Sequence, residues 1–174
     1  MTDGSTLFSI LIMLVIKKRA GQFSKADIKI LLPFDVRKKS RFKAVSIDGQ
    51  EVGVFLDRGT ILAHGDCLES ENGKIVRVLA QDESLLQITQ GSAKSLSHLA
   101  YHLGNRHVSI EIHNACLRIA DDEVLRDMVE RLGAHVHSVS APFHPESGAY
   151  GGGHSHGPEH GKGRGPVIHD FAEE

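Results

Sequence analysis

The chain has 174 residues and a formal net charge of −2, with 24% charged and 40% apolar residues. This composition is typical of a globular protein with one medium domain or two small ones. The weak net charge, the lack of Trp and the aromatic content of 5% argue against nucleic acid or an anionic membrane as a partner. Two distant cysteines, Cys67 and Cys116, predict reduced thiols in a cytoplasmic compartment.

The apolar run at residues 7–16 is too short to span a bilayer, which takes about 20 residues. Its basic residues follow the run at 17–19, whereas a signal peptide carries positive charge first. We therefore expect a strand that starts near Met13, and we leave residues 1–12 out of the predicted domain.

Residues 13–80 contain short apolar runs that are separated by turn signals and show no helical period. Asp48-Gly49 and Asn72-Gly73 each lie between two such runs, a strong local signal for a β-hairpin. We predict a small all-β domain of about six strands. The basic run at 37–43 is most simply a solvated connection, but it is also a candidate contact for an acidic partner through Arg37, Lys38, Lys39 and Arg41.

Residues 84–145 carry a different pattern, in which strands alternate with two amphipathic helices. Strands are predicted at 85–89, 107–113, 116–120 and 134–143. The first helix has an apolar face and ends at Gly104; its face consists of Leu96, Leu99, Ala100 and Leu103. The second helix follows the acidic residues 121–123 and ends at Gly133, with an apolar stripe formed by Val124, Leu125, Met128, Val129 and Leu132. The order β-α-β-β-α-β predicts an α+β, ferredoxin-like domain.

Residues 146–174 are rich in Gly and polar residues, and we expect a disordered tail that carries histidines. His154 and His156 lie two residues apart in this tail, and neutral imidazole suits Ni²⁺, Cu²⁺ and Zn²⁺. The sequence contains none of the common nucleophile, zinc-protease or nucleotide-binding motifs, so we do not expect an enzyme.

The stretch YHLGNRH places His102 and His107 five residues apart. Five residues of α-helix turn the chain about 140° beyond a full turn, so these two imidazoles do not share a helix face. We expect them to have separate roles, with His107 at the start of a strand.

The motifs F-D-V-R-K-K-S-R, G-N-R-H and G-A-Y-G-G-G-H-S-H, with the helices between them, resemble the urease accessory protein UreE family from about Leu14 to His156. The resemblance implies a cytoplasmic homodimeric nickel metallochaperone that passes Ni²⁺ to apo-urease with the urease accessory GTPase. It implies a peptide-binding-like N-terminal domain and a C-terminal domain that binds metal and dimerises. It implies His107 as the main ligand, shared between two subunits, His102 as an auxiliary one, and His154 and His156 as tail ligands, with Zn²⁺ or Cu²⁺ able to bind in vitro.

One stretch departs from this resemblance, because some family members have two more histidines where residues 120–123 here are Ala-Asp-Asp-Glu. A further metal site there has to use carboxylates or is missing. The alternative function is a Ni²⁺ or Zn²⁺ buffer, or a peptide-binding cochaperone, that does not deliver metal.

Overall fold

The computed structural model describes residues 13–21 and 25–146, which form two β-sheets with three helices. The six strands of the first sheet are β1 (Leu14–Arg19), β2 (Ile28–Leu32), β3 (Arg41–Val45), β4 (Glu51–Phe55), β5 (Cys67–Ser70) and β6 (Ile75–Ala80). A one-turn helix, α1 (Phe34–Arg37), lies between β2 and β3. The predicted sheet-rich N-terminal part is confirmed, and residues 1–12 lie outside the described residues.

The strand order in this sheet is β2-β6-β5-β1-β4-β3. Both predicted hairpins are present: β3 pairs with β4 and β5 with β6, each antiparallel. In the two turns, Gly49 and Gly73 have φ of 84° and 79°. Gly adopts this left-handed conformation with little strain, because it has no side chain. Alternate residues of the strands point inwards and build one apolar core, with Ile16, Ile30, Val54 and Val78 fully buried.

The second sheet has four antiparallel strands in the order β10-β7-β9-β8. Its elements in chain order are β7 (Asp82–Thr89), α2 (Ala93–Gly104), β8 (Glu111–Ile112), β9 (Cys116–Ala120), α3 (Glu123–Arg131) and β10 (His135–Pro142). The predicted β-α-β-β-α-β order is therefore present as a second domain of sheet and helices. Ser92 caps α2 and Asp122 caps α3, each by accepting a backbone N–H three residues on.

The predicted apolar faces are found with two exceptions, Val124 and Leu132, which are both exposed. Leu99 and Leu103 of α2 are fully buried, and Leu96 and Ala100 pack against the same core. On α3, Val129 is buried, but Val124 is 78% exposed, because it lies in the first turn and points away from the sheet. Leu132, which follows the last residue of α3, is 36% exposed. The prediction of Val124 and Leu132 as part of the buried stripe was therefore wrong.

The predicted strand at 107–113 is also shorter than expected. Only Glu111 and Ile112 pair, with Arg118 and Leu117 of β9. Residues 105–107 form a turn that continues from α2, and 108–110 follow without strand pairing. Alternation of polar and apolar residues here indicated a strand, but the helix end takes up the first part of the segment.

Arg37 at the end of α1 joins the two sheets. Its side chain is buried, at 2% exposure, and donates to the backbone oxygens of Leu32 and Leu62 at 3.3 and 3.2 Å, and to that of Phe143 just after β10. The Phe34 and Phe143 rings meet edge to face at 5.4 Å. We call this the junction.

The junction corrects one prediction about the basic run. Arg37 was predicted as a contact for an acidic partner, but its side chain is buried and three of its N–H groups donate to carbonyls of its own chain, so it is not accessible to a partner. Burial lowers the pKa of Arg37, while the nearby Glu83 carboxylate acts in the opposite direction. Lys38, Lys39 and Arg41 are exposed, and a partner contact through them stays a prediction.

In the described part of the chain, none of the helices is long and apolar enough to cross a membrane.

Candidate metal-binding site

His107 lies at the end of α2 in a left-handed backbone conformation, with φ of 57°. Its amide donates to the Gly104 oxygen at 2.9 Å, and the amide of Val108 donates to the Leu103 oxygen at 3.3 Å. These two hydrogen bonds are those of a Schellman motif, in which the left-handed residue just past the helix is usually Gly. His107 therefore ends the helix at a position where an imidazole is unusual.

The predicted end of the helix at Gly104 is confirmed, since Gly104 is the last residue of α2. The left-handed residue of the Schellman motif is His107, three residues later. A residue with a side chain is strained in the left-handed region by about 1 kcal/mol or more. The His107 side chain is exposed, so no packing contact with a buried group accounts for this choice of residue.

His102 is paired with a histidine that the sequence analysis did not single out. Its Nε2 lies 3.0 Å from Nε2 of His98, four residues earlier on α2, and the two ring centroids are 4.4 Å apart. The Tyr101 ring contacts His102 from the other side, at 5.6 Å between centroids. The signal was present in the sequence, because residues four apart share a helix face.

The two predicted tail ligands, His154 and His156, lie outside the described residues. The described chain ends at Glu146, whose amide donates to the Ile110 oxygen at 2.8 Å. Ile110 is three residues beyond His107. The beginning of the tail is therefore fixed close to the predicted main ligand.

The carboxylates at 121–123 are engaged in local structure. Asp122 Oδ1 accepts the Leu125 amide at 2.9 Å and so caps α3. Asp121 accepts from the Ser84 hydroxyl at 3.0 Å and lies 3.3 Å from the Arg126 guanidinium. Among residues 13–21 and 25–146, no three His, Cys, Asp or Glu side chains gather as a metal site.

A second group of histidines borders the junction. His113 Nε2 lies 3.1 Å from Oε1 of Glu111, a carboxylate that is 7% exposed. His144 follows Phe143, and its ring centroid is 6.1 Å from that of His64. Burial lowers the pKa of His144, the Arg37 charge adds to this, and Glu111 opposes it. His144 therefore lies near Arg37 and His64 at the junction, and His113 is paired with Glu111.

Comparisons with known proteins cover nearly the whole chain. The family model for the C-terminal domain of the UreE urease accessory protein matches residues 83–171, and the model for its N-terminal domain matches residues 16–81. The chain is 47% identical over 163 residues to the urease accessory protein UreE of Pseudomonas fluorescens, which covers 91% of this chain and 98% of that protein. It is 46% identical over 162 residues to the protein of the same name from Azotobacter vinelandii, with the same coverage.

Proposed function

The chain belongs to the family of UreE urease accessory proteins, and on this premise we propose that it is a metallochaperone that delivers Ni²⁺ to apo-urease. Membership of an accessory-protein family confirms the expectation that the chain is not an enzyme. The proposal further holds that His107 is the main metal ligand.

The backbone of His107 is the observation that carries this proposal. An exposed imidazole occupies a left-handed position where Gly causes no strain, which is the situation expected when a side chain is retained for what it binds. The residue also lies at the C-terminal end of α2, where the partial negative charge of the helix favours a nearby cation. The two Schellman hydrogen bonds hold its backbone in place.

One imidazole is too few for a tight Ni²⁺ site, so the remaining ligands come from elsewhere. We expect two subunits to pair so that one His107 from each meets at the two-fold axis, since a residue near such an axis faces its own copy. The absence of a three-ligand group from the described residues supports a shared site.

His154 and His156 are expected to complete the coordination. The amide of Glu146 is held beside Ile110, and His154 follows Glu146 by eight residues. A chain of that length spans at most about 28 Å. His154 is therefore within reach of a metal at His107 in the same subunit or in its partner.

The partner surface for the urease accessory GTPase and the apo-urease complex is expected to include Lys38, Lys39 and Arg41. All three are exposed, and Arg41 lies on β3, the edge strand of the first sheet. Charge reversal at Lys38 and Lys39 is expected to weaken complex assembly. The exposed Lys74, on the β5–β6 turn, is a matched control.

The domain bounds in this proposal are 13–80 for the peptide-binding-like domain, 84–145 for the metal-binding and dimerisation domain, and 146–174 for the tail. A ferredoxin-like second domain is supported by the order of its strands, in which β9 lies between β7 and β8. A cytoplasmic location is part of the proposal, because Ni²⁺ has to reach newly made apo-urease before the assembly of that enzyme is complete.

Calorimetric titration of the full chain with Ni²⁺ tests the ligand. We expect one tightly bound Ni²⁺ per two chains, and an affinity at least about 100-fold lower in His107→Gly, which removes the imidazole and keeps the left-handed backbone unstrained. His135→Gln, on the exposed side of β10, is the control and retains full affinity. Unchanged affinity in His107→Gly would show that His107 is not the ligand.

Urease activation in a strain that lacks this gene, at limiting nickel, tests delivery against the alternative of a Ni²⁺ or Zn²⁺ buffer or cochaperone. Wild type and His135→Gln are expected to restore activity, and His107→Gly is not. Full activation by a His107→Gly protein that has lost Ni²⁺ binding would contradict delivery through this residue.

The affinity of the chain for Ni²⁺ is also expected to fall as the pH drops through the imidazole range, because only neutral imidazole coordinates metal.

A further inference from the structure

We propose that His98 and His102 form a second metal site on the exposed face of α2, which chelates a divalent cation of square-planar or octahedral preference, Cu²⁺ or Ni²⁺. The Nε2 atoms of the two rings are 3.0 Å apart. Both side chains belong to one helix, so this site needs neither a second subunit nor the tail. The proposal therefore stands independently of delivery through His107.

The spacing of the two nitrogens favours a particular coordination geometry. Imidazole nitrogens bind such metals at about 2.0–2.1 Å. Two ligands at right angles at this distance are about 2.8–3.0 Å apart, whereas two tetrahedral ligands are about 3.3–3.4 Å apart. The observed 3.0 Å matches neighbouring ligands of a square or an octahedron. A tetrahedral Zn²⁺ requires the rings to separate.

The protonation of the pair is compatible with exchange for a metal. The two Nε2 atoms are at hydrogen-bond distance, so one ring donates and the other accepts through a lone pair. The two ring planes are inclined at 87°. When the metal binds, the donating ring changes tautomer: its Nε2 loses the proton through solvent and its Nδ1 takes one up. Both rings then stay neutral, and rotation about the Cβ–Cγ bonds turns both Nε2 lone pairs towards one ion.

The helix holds the pair in place. Leu99 and Leu103 directly follow the two histidines, and both are fully buried in the core beneath α2. This packing fixes the rotation of α2, so the outward direction of the histidines is set by the fold. The Tyr101 ring restricts His102 further. A chelate that is organised before binding loses little conformational entropy when the metal arrives.

The surroundings leave room for the other ligands, which are expected to be water. His98 is exposed and His102 half-buried. Lys94 lies one turn before the pair and Arg106 one turn after it, and both are exposed, so water and salt screen their repulsion of a cation. The Arg106 guanidinium is bonded to the His102 oxygen at 3.0 Å and not to its ring.

Paramagnetic broadening by Cu²⁺ in the ¹⁵N-labelled full chain tests this site. His107→Gly serves as the background, so that a metal at His107 does not affect α2. We expect substoichiometric Cu²⁺ to broaden the amide signals of residues 98–102 selectively. In His98→Gln, the Cu²⁺ concentration that halves these signals rises at least about tenfold, because the second imidazole no longer acts intramolecularly.

A matched control exchanges two neighbouring residues, Ser97→His with His98→Ser. This variant keeps the composition but places the imidazoles five residues apart, about 140° apart around the helix, and it should behave like His98→Gln. The amide spectra without metal show whether each variant is folded. If the signals of residues 98–102 resist Cu²⁺ in the background protein, or broaden equally in all three proteins, the site does not exist.

Discussion

The junction and the end of α2 both concentrate polar side chains, but they use them differently. At the junction, the donors of Arg37 bond to carbonyls of the chain itself, and the Phe34 amide donates to Glu83 Oε1 at 2.7 Å. At the end of α2, the imidazoles of His98, His102 and His107 lie at or near the surface, and the rings of His98 and His102 contact each other.

This difference separates residues that stabilise the fold from residues that remain able to bind. A buried charged group contributes to structure only when its hydrogen bonds are satisfied within the protein. Exposed imidazoles beside a helix end contribute little to stability, and their coordinating nitrogens remain accessible. Sequence alone placed Arg37 and His107 together as candidate functional residues, and their hydrogen bonds now place them in different classes.

The largest effect on stability is expected at the junction, from Arg37→Met. The substitution removes a charged donor and leaves the Leu62 and Phe143 oxygens without it, while the Leu32 oxygen keeps the Gln81 amide at 3.0 Å. We expect the free energy of unfolding to fall by about 3 kcal/mol, measured by urea denaturation. Ni²⁺ affinity of the folded variant should not change.

Lys38→Met is the matched control, because Lys38 is exposed. Among the described ion pairs, Lys38 takes part in one, with the exposed Asp35 carboxylate. It should alter the unfolding free energy by less than about 1 kcal/mol. Equal stability losses in the two variants would mean that Arg37 does not hold the two sheets together.

A smaller effect, of opposite sign, is expected at the end of α2. In the absence of metal, His107→Gly should raise the free energy of unfolding by about 1 kcal/mol, because Gly is unstrained at φ of 57°. His107→Ala removes the same imidazole but keeps the strain, so it should gain no stability. Urea denaturation with a metal chelator measures both. If Ala stabilises the protein as much as Gly does, the backbone of His107 is not the source of strain.

The smallest effect concerns His144 and pH. Its pKa is lowered in the folded protein, mainly by burial, so the unfolded chain binds a proton more readily. The stability that neutral His144 contributes is therefore present at neutral pH, and it is lost as the pH falls through the pKa of His144 in the unfolded chain, about 6.5. His144→Gln should reduce the pH dependence of the unfolding free energy between about pH 7 and 5. An unchanged dependence would show that His144 does not contribute to it.

Local signals in the sequence predicted most of the fold. The Asp-Gly and Asn-Gly turns, the apolar face of α2 and the strand at 116–120 depend on residues close together in the chain, and the structure has all of them. The apolar face of α3 is present in part, through Leu125, Met128 and Val129. The family was predicted from motifs and is confirmed by the matches to both domains.

Features that depend on distant contacts were not predictable in this way. The parallel pairing of β1 with β4 and of β2 with β6 joins segments separated by long stretches of chain. The burial of Arg37 depends on Phe143, which is 106 residues away. The left-handed backbone of His107 was not predictable for another reason. Gly104 ends the helix as predicted, but the left-handed residue comes three positions later and is not a Gly.

The left-handed turn at His107 also has a consequence over evolutionary time. Replacement by Gly relieves the strain, and Asn tolerates the same conformation better than most residues. A lineage that no longer needed the imidazole would therefore gain stability by drifting to Gly or Asn at this position, with no compensating change elsewhere. The identity of this one residue in a descendant would then record whether selection for metal binding had persisted.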